Sequence, residues 1–397
     1  MASRKDNKGR NLRCGEGQRP DGRYFFKYKD TKGATRTVYS WTLTIHDKHP
    51  MDKRATPPLR VIEKQIQKDL FDRVAPCDMT VLSLVERYVE TKRAVRESTK
   101  TGYRTFINFL RTDYFGSMLV SQVTTLDAKE WVIHLQENCG KGHSSIHRFR
   151  GVVRPAFQLA EDDDLIRKNP FDFELKTIVL DDAEPRFALS RRDERRFLEF
   201  VKNDKHFSRY FSGFYILLNT GLRISEFCGL TDSDLDFESK SIRVDKQLMR
   251  VARVGCYIET PKTECGARFV PMSQGVERCF REMLESRPEA SRDFSVAGVS
   301  GFLSFDKNGR PRVALHWEKY LRFAVEKFNR IHKEELPRIT PHVCRHTFCS
   351  RMASNGMSPA RLKYVMGHSD ISVTYNVYTH LDFDDAKAEM LSIQQNA

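Results

Sequence analysis

No run of apolar residues in the chain reaches the roughly 18 that a membrane helix needs, and the basic opening MASRKDNKGR leads into no apolar signal core. Its nine cysteines are odd in number, scattered, and never spaced Cys-x-x-Cys. That pattern argues against a disulfide framework and reads as reduced thiols in a cytoplasmic protein. Internal repeats and low-complexity tracts are also missing. What remains is an ordinary globular composition, 40% hydrophobic, in 397 residues, with room for two or three domains.

Acidic residues are in short supply. Lysine and arginine exceed them by 67 − 53 = 14, and residues 1–60 alone hold fifteen basic against six acidic side chains, a net +9. The basic residues there alternate with aromatics in a patterned segment, which favours a folded nucleic-acid binder over a solvated tail.

The chain reads as multidomain, in three segments. In GRYFFKYKDTKGATRTVYSW, Tyr24, Phe26 and Tyr28 alternate with Phe25, Lys27 and Lys29, the period of a strand with two different faces. Asp30–Gly33 is a turn signal and Arg36–Trp41 the returning strand. Leu59, Ile62, Ile66 and Leu70 then share one helix face. Residues 1–74 are thus predicted as a small β-sheet-plus-helix module. One free sheet face would present Arg23, Lys27, Lys29 and Arg36 to DNA.

APCD at 75–78 marks a joint, and residues 79–176 carry helical patterns throughout, an all-α domain closed by NPFDF. Its exposed basic residues, among them Arg96, Lys100, Arg104, Arg148 and Arg150, are candidates to track phosphates. A polar linker, IVLDDAEPRF, leads to a mixed, mainly α (α+β) domain over 187–397. Helices are expected at Arg191–Val201 and through Phe214–Asn219. IRVDKQLMR and CYIETPKTECGARFVPM read as strands, the latter two joined by a turn at Pro261–Gly266.

Three stretches of this last segment carry chemistry. TGLRISEF opens a helix after a glycine turn, with Glu226 placed to orient Arg223. In PHVCRHTFC, Thr340 and Pro341 match an N-cap and first helical position. His342, Arg345 and His346 then share a face while Cys344 points away. A zinc site needs about four converging ligands, usually as two spaced pairs. Here only the histidines converge, around an arginine that would repel a cation. LKYVMGHSDISVTYNVYTH adds Gly367–His368 in a loop, then Tyr375, Tyr378 and His380.

Each stretch alone is weak. Together, in this order and spacing, they resemble the tyrosine recombinase (phage-type integrase) family: TGLRxSE, a lysine in a β-turn, HxxRH, GH, and a tyrosine in YxH. The resemblance covers the whole chain and is most similar to integrases of conjugative transposons. It implies an arm-type DNA-binding domain at 1–74, a core-binding domain at 79–176 and a catalytic domain with C-terminal tail at 187–397.

The implied activity is cutting and rejoining DNA through a 3′-phosphotyrosine, to excise and integrate a mobile element. Tyr378 would be the nucleophile; it follows His368 by ten residues, where many members have nine. His342 would be base or proton relay, His368 would position a phosphate oxygen, and Arg223 and Arg345 would grip the non-bridging oxygens. Lys262 would protonate the leaving 5′-oxygen, with Glu226 and His346 holding the arginine face. No metal or other cofactor is implied. The implied partners are double-stranded DNA at core and arm sites, three further copies of the chain in a tetramer, and an accessory DNA-bending or excision protein. No membrane is involved, and the expected place is the bacterial cytoplasm, on the nucleoid. A type IB topoisomerase shares the catalytic set but needs no arm-binding module. Dimer-resolving recombinases generally lack the basic N-terminal module. A regulator with a decayed site would not keep all five motif positions filled.

Overall fold

The structure, a computed structural model, describes residues 4–30, 33–50, 55–71, 78–182, 188–251, 254–261, 264–288, 294–372 and 374. Lys262, Tyr375, Tyr378, His380 and the tail lie outside the described residues. The chain divides into two compact units, Met1–Glu184 and Pro185–Ala397, so the break falls within the polar IVLDDAEPRF segment. Among the described residues, no helix is long and apolar enough to cross a membrane.

The first unit begins with three antiparallel strands, β1 (Glu16–Gln18), β2 (Tyr24–Lys29) and β3 (Thr35–Ser40), in that spatial order. Strand alternation turns Tyr24 and Phe26 inward, onto Leu43 and onto Leu59 of helix α1 (Leu59–Phe71), and it leaves Lys27 and Lys29 exposed. Tyr39 pairs across the sheet with Phe25 on the outer face, their rings 6.5 Å apart. Arg19 and Arg23 stack over Tyr39, each 5.6 Å from the ring centre. Arg36 corrects the expectation. It pairs in register with Tyr28, which packs on the inner core, so period-2 alternation assigns it to the opposite side from Lys27 and Lys29. There it meets Asp30 at 3.2 Å.

The rest of this unit is helical: α2 (Val81–Thr91), α3 (Glu97–Leu110), α4 (Tyr114–Ser117), α5 (Thr125–Glu137) and α6 (His143–Asp162). Thr80 caps α2, and Thr124 with Asp127 forms a reciprocal capping box on α5. Trp131 anchors the core, stacked on Phe115 at 4.4 Å and met edge-on by Phe171 at 5.9 Å. Burying side chains of this size stabilises by about 1.5–3 kcal/mol each. Phe171 comes from NPFDF, where the Asn169 side chain donates to Arg154 O at 2.9 Å and accepts from Phe171 N at 3.0 Å. Arg150 departs from the surface role expected of it. Its Nη2 donates inward to the carbonyls of Phe171 and Phe173, so it ties this closing loop to α6.

The second unit is mainly helical around two small sheets. Helices α7 (Arg191–Asn203), α8 (Phe211–Thr220) and α9 (Ile224–Gly229) precede strands β4 (Leu235–Asp236), β5 (Ser241–Val244), β6 (Gln247–Val251), β7 (Gly255–Glu259) and β8 (Arg268–Pro271). Helices α10 (Gln274–Glu285), α11 (Ala314–Ile331), α12 (Pro341–Ser354) and α13 (Pro359–Met366) follow. The segment read as one strand, IRVDKQLMR, is two: β5 pairs with β4 and β8, while β6 pairs with β7. β7 and β8 are therefore consecutive without being hydrogen-bonded partners, and the turn between them links two sheets. The large core gathers Phe197, Phe214, Phe280, Phe302 and Trp317, all nearly inaccessible.

Candidate active site

Three arginines of the second unit converge on one helix end. The last carbonyls of a helix lack intrahelical partners and carry partial negative charge. At the end of α13, Arg268 Nε donates to Val365 O at 2.6 Å, Arg345 Nη2 donates to Met366 O, and Arg223 Nη2 donates to Gly367 O at 2.8 Å. Gly367 stops the helix with φ +63, and a Cβ there would lie 2.8 Å from Arg268 Nη1. Glycine suits both demands.

Each arginine arrives from a different element. Arg223 caps the start of α9, its own N–H donating to Glu226 Oε2 at 2.8 Å and its Nη1 to Glu226 Oε1 at 2.7 Å. Arg345 lies one turn into α12, which starts as expected with Thr340 capping Val343 N and Pro341 in the first turn. Its Nη1 donates to Gly221 O at 2.6 Å, where Gly221 ends α8 at φ +66. Arg268 occupies an inward position of β8, and its two η-nitrogens reach both Glu226 oxygens, at 3.2 and 3.0 Å. A single carboxylate thus bonds two guanidinium groups, and its charge also reaches the third, Arg345.

The electrostatics follow. Burial opposes charge on Glu226, yet the hydrogen bonds and charge of Arg268, with the charge of Arg223, hold its carboxyl below the usual range. Arg345 is only 7% exposed, and burial together with Arg223 pushes it down to about 9, still cationic at neutral pH. His368 directly follows Gly367. Burial and then the charges of Arg345, Arg223 and Arg268 push its imidazole down to about 4, so it is neutral at pH 7. Its Nδ1 lies 3.0 Å from the hydroxyl of Thr374, a fully buried residue.

His342 is exposed at the start of α12 and His346 is half-buried one turn on, its Nδ1 3.4 Å from the Ser350 hydroxyl. The cysteines of PHVCRHTFC belong to the hydrophobic core. Burial pushes Cys344 up to about 12 and Cys349 up to about 11, so both stay protonated thiols. The structure therefore brings Arg223, Glu226, Arg345 and His368 together, while Lys262 and Tyr378 lie outside the described residues. Sequence reasoning missed Arg268 and Thr374. For Arg268 a signal existed: in ARFVP the arginine holds an inward strand position while Phe269 is exposed, the reverse of ordinary alternation. Thr374 carried none.

Comparison with known proteins decides the class. Residues 188–385 match the phage integrase family, and residues 1–70 match the DNA-binding domain of Tn916 integrase. The transposase from transposon Tn916 of Enterococcus faecalis is 41% identical over 389 residues, 98% of this chain and 96% of that protein. This chain belongs to the phage integrase family. It is a tyrosine-type site-specific recombinase. The transposase from transposon Tn1545 of Streptococcus pneumoniae is likewise 41% identical over 98% of this chain and 96% of that protein. Among solved structures, this integrase is similar to the Tn1549 transposon integrase in complex with transposon right end DNA. That match has TM-score 0.75 and 41% identity, over 80% of this chain and all of the other.

Of the residues expected to touch DNA, Arg104 on α3 and Arg148 on α6 are exposed, and Arg148 borders a groove between the two helices. Lys100 meets Glu97 at 2.6 Å, and Arg96 occupies the N-cap position of α3 without a side-chain capping bond.

Proposed function

We propose that this recombinase excises and integrates a mobile element by cutting double-stranded DNA at the element's ends through a covalent tyrosine intermediate. The observation that carries the reading is the charge of the site: three arginines gather around one helix end with one carboxylate among them, and a neutral histidine stands beside them. Two positive charges are left over, which suits a phosphodiester.

In the proposed mechanism the Tyr378 oxygen attacks the scissile phosphorus, and the P–O5′ bond breaks. His342 takes the phenol proton, which the ordinary phenol, with a pKa near 10, does not release readily at neutral pH. Lys262 gives a proton to the departing 5′-oxygen. The 3′-phosphotyrosine stores the bond energy until a 5′-hydroxyl from a partner strand attacks in reverse.

Arg223 and Arg345 hold the non-bridging oxygens as charge develops. The hydrogen bonds described for each of their η-nitrogens use one of its two hydrogens, which leaves a second for a phosphate oxygen. Because the carbonyls of Gly221, Met366 and Gly367 already fix these planes, little reorganisation is needed in the transition state. Thr374 donating to His368 Nδ1 would put the ring hydrogen on Nε2, ready for a phosphate oxygen. Glu226 and His346 hold this face in place.

The N-terminal module would read arm sites through Arg23, Lys27 and Lys29, and the helical segment would follow core-site phosphates through Arg96, Lys100, Arg104 and Arg148. A tetramer on two paired DNA sites, joined by the tail after Tyr378, completes the proposal, with an accessory bending or excision protein as a further partner. The test is a plasmid carrying two element ends. Circular excision product is expected; supercoil relaxation without recombinant product would assign the chain to topoisomerase chemistry instead.

A further inference from the structure

The first unit contains a second cluster that DNA cleavage does not use. His134 stands in the last turn of α5, Cys139 lies just past that helix, and Asp113 caps the start of α4. Cys139 Sγ is 3.3 Å from His134 Nε2, Asp113 Oδ2 is 3.9 Å from the same nitrogen, and the three ligand atoms all lie within 4.8 Å of one another. The backbone turns Cys139 back toward the helix, its N–H donating to His134 O at 3.1 Å.

Two of the three ligands, Asp113 and His134, are oriented from behind. Asp113 Oδ1 accepts from the Trp131 indole at 2.9 Å and from Phe115 N at 3.0 Å, which leaves Oδ2 for the cluster. His134 Nδ1 lies 3.2 Å from Asn138 Oδ1. An amide oxygen only accepts, so Nδ1 carries the hydrogen and the Nε2 lone pair faces Cys139 and Asp113. The indole that orients Asp113 belongs to the fully buried core tryptophan, so this ligand is anchored to the bundle interior.

This leaves two acceptors, an imidazole lone pair and a carboxylate oxygen, facing one thiol hydrogen. A divalent cation in place of that hydrogen satisfies all three. With bonds of about 2.0–2.3 Å, tetrahedral zinc separates neighbouring N, O and S ligands by about 3.3–3.6 Å; the S–N spacing of 3.3 Å meets this, and the O–N spacing of 3.9 Å must close by a few tenths of an ångström. Thiolate, imidazole and carboxylate together suit a borderline-soft ion over magnesium or calcium.

We propose that Asp113, His134 and Cys139 bind one Zn²⁺, with water in the fourth position, and that the ion clamps α4 to the end of α5. Binding releases the Cys139 proton to solvent and changes no oxidation state. The sequence conceals the site because its ligands come from two elements and form no spaced pair.

The test uses full-length protein, stripped with chelator and titrated with Co²⁺ as a spectroscopic probe. The expected result is a thiolate charge-transfer band with tetrahedral visible bands, saturating at one equivalent and displaced by Zn²⁺. Cys139→Ser should lose the charge-transfer band, while Cys14→Ser, at an exposed cysteine elsewhere, should keep it. Asn138→Ala, at an exposed residue, should bind about 10–100-fold more weakly, as loss of an orienting partner does. Zinc should raise the melting temperature of the wild type and not of Cys139→Ser. A wild type without a band saturating at one equivalent, or an unchanged band in Cys139→Ser, overturns the proposal. The wild-type spectrum decides even if a variant fails to fold.

Discussion

Arg268 donates to both carboxylate oxygens of Glu226, and the same carboxylate holds Arg223 through its side chain and its backbone. The Arg268 side chain is wholly buried, so this pair carries two charges out of water. Such a pair is stabilised when its other hydrogens find partners, and here the carbonyls of Val365 and Gly266 take two of the remaining three. Its value lies in position. Arg268 sets Glu226, Glu226 sets Arg223, and all three arginines grip the helix end that leads into His368.

Glu226→Gln should therefore damage the fold as well as the chemistry. It leaves Arg268 buried without its counter-charge, at a cost of about 3–5 kcal/mol in urea unfolding. Arg268→Met should show a similar loss. A change under about 1 kcal/mol in both would mean that the carboxylate does not hold the cluster together.

Arg345→Lys should separate the two roles of the arginine face. Lysine keeps the charge but cannot donate to Gly221 O and Met366 O at once. DNA affinity should stay near wild type, while formation of the protein–DNA adduct slows by about 10²–10³-fold, as for loss of one preorganised donor. Single-turnover cleavage beside a binding titration at fixed salt reads both quantities.

His368 yields a pH signature. Its folded value near 4 lies below the ordinary histidine value near 6.5, so between those limits the unfolded chain binds a proton that the folded chain refuses. Its contribution to stability is intact above about pH 6.5 and declines as pH falls toward 4. Urea midpoints at pH 7 and pH 5 should show a larger drop for wild type than for His368→Asn. Equal drops would put the imidazole in an unperturbed environment.

Lys27 and Lys29 offer a check on the N-terminal module. Both project from the outer sheet face, unlike Arg36. Replacing both with alanine should weaken binding to arm sites and lower the slope of log affinity against log salt by about 2. Arg36→Ala should leave that slope within about 0.5, since Arg36 is held by Asp30 on the other face. Equal slopes for the two variants would contradict the assignment.

Local pattern carried much of this structure. Alternation through Tyr24–Lys29 marked both faces of β2, and Thr340-Pro341 marked the first turn of α12. Pairing between distant strands did not show. β5 and β6 look continuous in IRVDKQLMR because nothing local says that each joins a different sheet. Arg36 was misplaced for a related reason: its side depends on the register with Tyr28, which the turn sets. In the site, motif spacing marked Arg223, Arg345 and His368, with Glu226 to orient Arg223, but not the further support that holds them. That support comes from main-chain carbonyls, which leave no trace in side-chain identity, and from Arg268, an ordinary arginine until β8 turns it inward.

The most direct measurement traps cleavage on a nicked suicide substrate and maps the covalently attached residue, with Tyr378→Phe and Tyr375→Phe assayed alongside. The adduct should fall on Tyr378. Tyr378→Phe should lose it while keeping DNA affinity, since only one oxygen is removed, and Tyr375→Phe should still form it. An adduct on Tyr375 would overturn the assigned nucleophile, and cleavage unaffected by either substitution would contradict the tyrosine mechanism itself.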